Sequence, residues 1–298
     1  MYTLEWIIPA SYEGKLMREF LIDQQISKRT LTAVKFEGGC ITLNGKEENV
    51  RHPLSGGDVL TVRFPKEKES ESLKAEEIRL PVLYEDDDVL VVDKPWGMKT
   101  IPTKDEPTGS LANAILGYYR RKDIRSTVHI VTRLDKDTSG LVLIAKHRHV
   151  HHLFSLQQKG REIKRSYEAF VEGVLEKEEG MIEEPIARKE TSIIEREVSE
   201  TGKYALTYYR VMKQFPRFAH IELNLETGRT HQIRVHMSFI QHPLAGDDLY
   251  GGSLALIKRQ ALHCKKLSFF HPVKKEWTII EAAMPDDMRD VLEKQTCM

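Results

Sequence analysis

Apolar residues recur at helical spacing in some parts of the chain and alternate with polar residues in others. The pattern predicts helices over the following segments: Lys15–Gln24, Lys28–Glu37, Leu111–Arg121, Thr230–Ile240 and Met288–Lys294. Alternation or short apolar runs predict strands at Cys40–Leu43, Val59–Phe64, Val82–Tyr84, Val89–Val92, Leu141–Ala145, Ser166–Val174, Ala205–Val211 and His220–Leu225. Because strands and helices do not alternate regularly, the pattern disfavours a doubly wound parallel sheet. It indicates an α+β fold with a mixed, mainly antiparallel sheet.

The N-terminal part of the chain differs from the rest and predicts a small α+β unit. Ser27 is a candidate N-cap for the second helix, and the Asn-Gly dipeptide at 44–45 favours a type I′ hairpin turn. The segment 66–80 is charged and poor in apolar residues, which is typical of a linker. We therefore predict a small domain at 1–65, a linker at 66–80 and a larger domain at 81–298.

Composition describes a folded, soluble protein. Of the 298 residues, 45 are basic and 45 are acidic. Hydrophobic residues make up 40% of the chain, and the mean hydropathy is −0.43. The three cysteines lack the CxxC spacing of a disulfide framework or cysteine-rich zinc site. No run approaches the ~20 apolar residues of a membrane span, and the first residues do not resemble a signal peptide. We therefore expect a cytoplasmic protein without membrane contact.

Local charge departs from this neutral average in one segment. Tyr118–Arg165 holds twelve Lys/Arg against four Asp/Glu, a net charge of +8, together with five histidines. Such a segment is either a solvated face or a surface that binds anions, of which phosphate is the commonest. Four of these histidines crowd positions 147–152, but the spacing of a catalytic zinc motif such as HExxH is absent, so we expect no metal.

A polar loop before the apolar run at Leu141–Ala145 is the first candidate for catalysis. It contains Asp135 and Asp137 two residues apart, with Arg133 beside them and a Thr-Ser-Gly turn after them. Loops held by a rigid scaffold often carry function, and Asp135 suits a nucleophile or an acid/base. A turn capped by Asp137 and Ser139 remains the alternative.

A second candidate segment spans 225–236. Gly-Arg-Thr at the start of a helix offers backbone N–H groups that suit a phosphate. Arg229, Gln232 and His236 fall near one helix face, whereas Arg234 is placed to pair with a buried carboxylate. An exposed basic helix is the alternative for this segment.

These two segments resemble motifs of one known family. ThrArgLeuAspLysAspThrSerGly at 132–140 closely resembles the HRLDxxTSG signature of the RluA family of pseudouridine synthases, and 228–236 resembles its GRTHQIRVH box. Supporting matches follow in the family's order: Leu83–Asp88, Asp93–Gly97, Lys164–Tyr167, His242–Asp247 with Tyr250-Gly251, Gln260–His263 and Phe269–Pro272. The resemblance covers about residues 81–285.

The resemblance implies an isomerase that converts RNA uridine to pseudouridine without a cofactor. Asp135 is then the catalytic carboxylate, attacking the ribose or the uracil ring or promoting elimination to a glycal. Arg234 matches the cationic partner of that carboxylate. Tyr167 matches the family's stacking tyrosine, which is also a candidate proton acceptor. Arg133 matches the residue that fills the space left by the extruded nucleotide.

RNA contacts are also implied beyond the reacting residues. In the second motif we expect Arg229, Thr230, His231 and Gln232 to bind RNA, with Asp247 as structural support. The chain departs from the family at Thr132, where histidine is usual, which affects the expected RNA specificity rather than catalysis.

The small N-terminal domain loosely resembles the S-four-type RNA-binding domain. The resemblance rests on the order of its elements and on a basic second helix that carries Lys28 and Arg29. This implies an RNA contact, while a scaffold or dimerisation role stays open.

The expected partner is structured RNA, ribosomal RNA in preference to transfer RNA, and the family expectation is a monomer. The alternative function is a non-catalytic RNA-binding factor in ribosome assembly. Substitution of Asp135 by Asn separates these two readings.

Overall fold

The computed structural model describes residues 2–67, 70 and 72–296. The described helices are α1 (Met17–Asp23), α2 (Lys28–Phe36), α3 (Leu111–Arg121), α4 (Arg148–Lys159), α5 (Gln232–Phe239) and α6 (Asp286–Thr296). The described strands are β1 (Thr3–Ile7), β2 (Cys40–Leu43), β3 (Lys46–Glu47), β4 (Val59–Arg63), β5 (Val82–Glu85), β6 (Val89–Lys94), β7 (His129–Ile130), β8 (Ser139–Ala145), β9 (Lys164–Glu172), β10 (Glu179–Glu183), β11 (Ile186–Arg188), β12 (Arg196–Val198), β13 (Leu206–Gln214), β14 (Phe218–Leu225), β15 (Leu262–Phe270) and β16 (Trp277–Glu281).

The N-terminal unit is a four-stranded antiparallel sheet in the order β1-β4-β2-β3, packed against α1 and α2. Ser27 caps α2 by accepting a hydrogen bond from the Thr30 amide at 3.1 Å, as predicted. Asn44 and Gly45 both have positive φ, which is the conformation of the predicted type I′ turn. The strand β1, which the sequence pattern did not predict, completes this sheet.

A ten-stranded sheet forms the second unit. Its main path runs β10-β13-β14-β9-β15-β8-β6-β5, with β16 on β15 and β7 on β8. Only the pairing of β15 with β8 is parallel among the described strands of this sheet. The predicted α+β class with a mixed, mainly antiparallel sheet is confirmed.

Both faces of the central strand β9 are covered. Tyr167, Ala169 and Val171 lie in the main core, whereas Phe170 joins a second cluster with Phe218 and with residues of α6. Because apolar side chains pack on both faces of the sheet, β8 and β9 are interior strands whose positions are fixed by the core. The candidate site lies at the ends of these strands.

The predicted linker is in contact with the second unit rather than free. No helix or strand occurs between 66 and 80 among its described residues, and residues 68, 69 and 71 lie outside the described part. Glu76 donates a backbone hydrogen bond to Asn113 and packs against Gly117 of α3. A Cβ at Gly117 would lie 2.0 Å from the Glu76 carbonyl oxygen, so this close approach requires glycine.

Two helix predictions need correction. The predicted helix Thr230–Ile240 starts later, because His231 has φ 58° and α5 begins at Gln232. The predicted C-terminal helix Met288–Lys294 extends in both directions as α6. Across the described part of the chain, no helix combines the length and apolar character that a membrane span requires.

Candidate active site

The loop that carries Asp135 connects β7 to β8, and buried side chains hold its backbone. Thr100 donates from Oγ1 to the Leu134 carbonyl at 2.7 Å and accepts from the Leu134 amide at 3.2 Å. Lys94 donates from Nζ to the Lys136 carbonyl at 3.1 Å. These contacts fix the backbone on both sides of residue 135, so its side chain is positioned before any substrate binds.

The second half of this loop is fixed in the same way. Gln260 donates to Oγ1 of Thr138 at 2.7 Å, and Arg259 donates to the Asp137 carbonyl at 3.3 Å. Gly140 then passes β15 with φ 114°, where a Cβ would lie 2.4 Å from the carbonyl oxygen of Cys264. The Thr-Ser-Gly turn therefore ends in a glycine, which the close approach of β8 to β15 requires.

Lys94 is completely buried and lies under the loop that carries Asp135. Its ammonium group donates to three backbone carbonyls, those of Pro95, Met98 and Lys136. Burial lowers the pKa of Lys94 to about 7, against the opposing charges of Asp135 and Asp137. The sequence drew attention to the motif that contains Lys94 but gave no role to this residue.

Asp135 itself is partly open to solvent, with 29% of its side chain exposed. Nη1 of Arg234 lies 3.5 Å from its Oδ2, and Nε2 of His231 lies 3.8 Å from the same oxygen. The carboxylate therefore faces one permanent cation and one imidazole while one side stays accessible. A substrate can reach an anion held in this way.

Arg234 makes its strongest contact with Asp247 rather than with Asp135. It donates from Nε to Oδ2 at 2.7 Å and from Nη2 to Oδ1 at 2.8 Å, and both side chains are buried. Burial alone would lower the pKa of Arg234, but the hydrogen bonds and charge of Asp247 raise it above its ordinary value. Arg234 therefore points inward, as predicted, and donates to two carboxylates: closely to Asp247 and at a longer distance to Asp135.

His231 lies inside the site rather than on an exposed helix face. Its left-handed backbone at the start of α5 turns the ring so that Nδ1 lies 2.8 Å from the Tyr250 hydroxyl and Nε2 faces Asp135. Burial lowers the pKa of His231, and Asp135 opposes this shift. Its backbone conformation, which the sequence did not reveal, brings the ring to the Asp135 carboxylate.

Tyr167 lies on β9 with only 4% of its surface exposed. Burial raises its pKa well above the usual range, while the guanidinium of Arg165 acts in the opposite direction. Its phenol is therefore protonated at neutral pH, and a role as proton acceptor is disfavoured. The thiol of Cys264, which the sequence left without a role, lies beside this hydroxyl, and burial raises its own pKa to about 11.

Gln232 is buried, and its polar groups are used inside the protein. Its Oε1 accepts from the Arg229 amide and the Thr227 hydroxyl, and its Nε2 donates to the Leu206 carbonyl and the Thr207 hydroxyl. This placement does not support the predicted RNA contact. Gln232 instead holds the start of α5 against β13.

The remaining predicted RNA-binding residues are exposed, as an RNA contact requires: Arg133, Arg229, Thr230, Lys28 and Arg29. Arg133 follows Thr132 on the loop, but Arg133 is exposed whereas Thr132 is not. Thr132 is buried and accepts a hydrogen bond from the Leu143 amide at 2.9 Å. Threonine in place of the family's histidine therefore has a structural role here.

The basic segment is only partly a surface. Lys146 is buried and pairs with Glu85, and His149 is buried beside Phe64. His147 stacks on Tyr2 with ring centroids 4.0 Å apart. Two of the four histidines that suggested metal chemistry, His147 and His149, are thus used in packing against residues that flank the N-terminal sheet.

Asp86, Asp88 and His271 bring potential metal ligands within 4.8 Å of one another. However, Asp86 already accepts from His271 at 2.9 Å and lies 2.8 Å from the ammonium of Lys274. Because Lys274 supplies the positive charge at this position, the cluster does not fit a bound cation.

The geometry thus joins a fixed loop, a partly exposed carboxylate and a buried arginine at one place above a mixed sheet, which is the arrangement of a candidate active site. The family described as RNA pseudouridylate synthase matches residues 88–239, a span that includes Asp135, Tyr167 and Arg234. RNA pseudouridine synthase YjbO of Bacillus subtilis (strain 168) is 46% identical over 277 residues, which cover 93% of this chain and 98% of that protein.

Other comparisons agree. Ribosomal large subunit pseudouridine synthase D of Yersinia pestis is 38% identical over 270 residues, covering 85% of this chain and 82% of that protein. The structure of human RNA pseudouridylate synthase domain containing 4 has the same fold, with a TM-score of 0.60 and 21% identity over 72% of this chain and 93% of that one. The chain belongs to the RNA pseudouridine synthases, and the predicted RluA-family membership is confirmed. The protein is an enzyme, an isomerase that modifies RNA.

Proposed function

We propose that this enzyme converts uridine to pseudouridine in large-subunit ribosomal RNA and that Asp135 is its catalytic carboxylate. The observation that carries the proposal is the placement of Asp135, which is partly exposed on a fixed loop between Arg234 and His231. The buried guanidinium of Arg234 faces this carboxylate on one side, and its open side is accessible to a ribose or a uracil ring.

The reaction is an internal rearrangement. The bond between ribose C1′ and uracil N1 breaks, a bond between C1′ and C5 forms, C5 loses a proton, and N1 gains one. No electron leaves or enters, so no redox cofactor is needed. Attack on C1′ and attack on the uracil ring require a nucleophile, whereas elimination to a glycal requires a base that removes a ribose proton; a carboxylate at position 135 suits each of these roles.

Access to a uridine in structured RNA requires that the nucleotide leave its stack. Arg133 is exposed next to Asp135 and makes no hydrogen bond or ion pair within the part of the chain that the structure describes. It is therefore available to occupy the vacated space in the RNA. The ring of Tyr167 supplies an apolar surface for the flipped base, and its protonated phenol suits stacking better than proton abstraction.

Ribosomal RNA is proposed over transfer RNA because several relatives that match more than four-fifths of this chain are named ribosomal large subunit pseudouridine synthase D. The exposed pair Lys28 and Arg29 on α2 would provide a further RNA contact outside the catalytic site. A ribosomal substrate agrees with the expected cytoplasmic location.

Tritium release from RNA labelled at uracil C5 tests the proposal. Unmodified ribosomal RNA and transfer RNA are assayed separately with wild type and Asp135→Asn, and Asp137→Asn serves as the matched control on the same loop. We expect release from ribosomal RNA by wild type and the control, and none by Asp135→Asn. Activity in Asp135→Asn would refute the catalytic role, and release from transfer RNA alone would refute the substrate.

A further inference from the structure

Arg165 lies two residues before Tyr167 on β9, so both side chains point to the same face of the sheet. On β15, Tyr167 is opposite Cys264 and Arg165 is opposite Leu267. The two side chains are therefore neighbours along the strand, with Cα atoms about 7 Å apart.

The guanidinium of Arg165 packs against Gly228, at the start of the loop that leads into α5. A Cβ on Gly228 would lie 2.5 Å from Nη2 of Arg165, so glycine leaves room for this side chain. The same loop continues to His231 and Arg234. Arg165 is thus enclosed by the two elements that build the active site, and it is only partly exposed.

Arg165 lacks a counter-ion. Across residues 2–67, 70 and 72–296, its guanidinium makes no hydrogen bond and no ion pair. The nearby Glu226 is used by Lys164 at 3.1 Å and by Arg161 at 3.8 Å. A partly buried cation without a partner is unfavourable unless a ligand supplies the anion.

Arg165 acts on the same tyrosine as Asp135. The charges of the two groups shift the pKa of Tyr167 in opposite directions. Arg165 also acts on the buried Cys264 thiol beside it. An anion bound to Arg165 would therefore lie next to a base that is stacked on Tyr167.

We propose that Arg165 binds a backbone phosphate of the target nucleotide. The proposal rests on the function given above and adds the group that holds the flipped nucleotide in place. A guanidinium binds phosphate through two parallel hydrogen bonds, which fixes the orientation as well as the position of the ligand. Asp135 and Arg165 would then contact the sugar and the phosphate of the same nucleotide.

Binding measurements on an Asp135→Asn background test this site without turnover. The probe is large-subunit ribosomal RNA transcribed in vitro, titrated between about 50 and 200 mM salt. The variants are Arg165→Gln, Arg165→Lys and the control Lys164→Gln, which removes the adjacent cation from the opposite face. Thermal unfolding of each variant establishes that it is folded.

We expect Arg165→Gln to weaken binding about tenfold at low salt and to reduce the slope of log Kd against log salt by about 0.7–0.9, the value for one phosphate contact. Arg165→Lys should restore the slope but only part of the affinity. Lys164→Gln should change Kd by less than about twofold, because Glu226 already pairs with that side chain.

An unchanged slope and Kd in Arg165→Gln would overturn the phosphate site, as would a loss of kcat in the active protein with no change in salt dependence. The proposed function is assessed separately by tritium release from wild type. Release without an effect of Arg165→Gln would refute only the phosphate site. A changed slope without release would support this site and refute the proposed reaction.

Discussion

Arg234 and Asp247 form a buried ion pair in which two parallel hydrogen bonds, at 2.7 and 2.8 Å, fix the plane of the guanidinium. The third contact of this guanidinium, from Nη1 to Asp135, is longer, at 3.5 Å. Asp247 therefore determines where the positive charge stands relative to the Asp135 carboxylate. Asp247 reaches Asp135 only through Arg234, so we infer a positioning role for it.

Substitution of Asp247 by Asn should impair both stability and rate. The amide keeps the size of the side chain but leaves Arg234 without its charged partner, which costs about 3 kcal/mol at a buried site. The guanidinium is then free to turn toward Asp135, and we expect kcat to fall by about tenfold or more. Urea unfolding and tritium release measure the two effects.

Glu85→Gln is the control for Asp247→Asn, since it removes a charge from the Glu85–Lys146 pair away from Asp135. It should reduce stability without lowering kcat. If Asp247→Asn lost stability but kept the wild-type kcat, Asp247 would have no positioning role.

Thr100 allows a test of how the loop that carries Asp135 is held in place. Thr100→Val preserves the shape of the side chain but removes the hydroxyl that bonds both the amide and the carbonyl of Leu134. We expect a loss of about 1–2 kcal/mol, because these backbone groups are left unsatisfied. We also expect kcat to fall about tenfold while KM changes less than twofold, since Asp135 is displaced but the RNA-binding surface is not.

Ser126→Ala provides the comparison for Thr100→Val. Ser126 is also buried, and its hydroxyl donates to the Lys146 carbonyl, beyond the end of β8, rather than to the loop that carries Asp135. If Ser126→Ala loses a similar amount of stability but keeps the wild-type kcat, the lower kcat of Thr100→Val comes from the loop that carries Asp135 and not from lost stability. Equal kcat values for the two variants would contradict the role assigned to Thr100.

Local patterns predicted those elements whose signals lie within a few residues. The helix Leu111–Arg121, the Ser27 cap and the Asn44-Gly45 turn depend on neighbouring residues, and the structure confirms each. The strand β15 escaped prediction although it lies between β9 and β8 at the centre of the sheet. Its sequence places Lys265 and Lys266 in the middle, and only its partners from distant parts of the chain explain its burial.

The site shows the same division between local and distant information. Local chemistry made Asp135 and Arg234 separate candidates, but only resemblance to a family joined these residues, 99 apart in sequence, in one site. The supports at Lys94 and Thr100 and the partner Asp247 contact the site through tertiary packing. For Gln232 the local pattern was misleading: helical spacing placed it on a surface that binds RNA, but the fold buries it.

Buried histidines predict a loss of stability in mild acid. Burial lowers the pKa of both His149 and His263 to about 4, so each is neutral in the folded protein when the unfolded chain, with a pKa near 6.5, begins to bind protons. The free energy of unfolding is therefore unaffected by these two histidines above pH 6.5 and decreases as the pH falls from 6.5 toward 4. At pH 5 the loss is about 2 kcal/mol for each histidine.

Urea unfolding at pH 7 and pH 5 measures this effect. His263→Gln should reduce the pH dependence of the free energy of unfolding by about 2 kcal/mol relative to wild type. The raised pKa values of Asp88 and Asp93 act in the opposite direction but are common to both proteins, so the comparison isolates His263.

The exposed cations of α2 allow a test of the N-terminal domain that leaves the catalytic site intact. The double variant Lys28→Gln and Arg29→Gln removes two charges from the helix surface without disturbing the Ser27 cap. If this helix contacts RNA, KM for ribosomal RNA should rise about tenfold and become less sensitive to salt, while kcat stays within about twofold of wild type. The matched control, Lys177→Gln with Arg217→Gln, removes two exposed charges from connections between strands of the large sheet. Equal effects of the two double variants would show a general electrostatic attraction and would refute a specific RNA contact by α2.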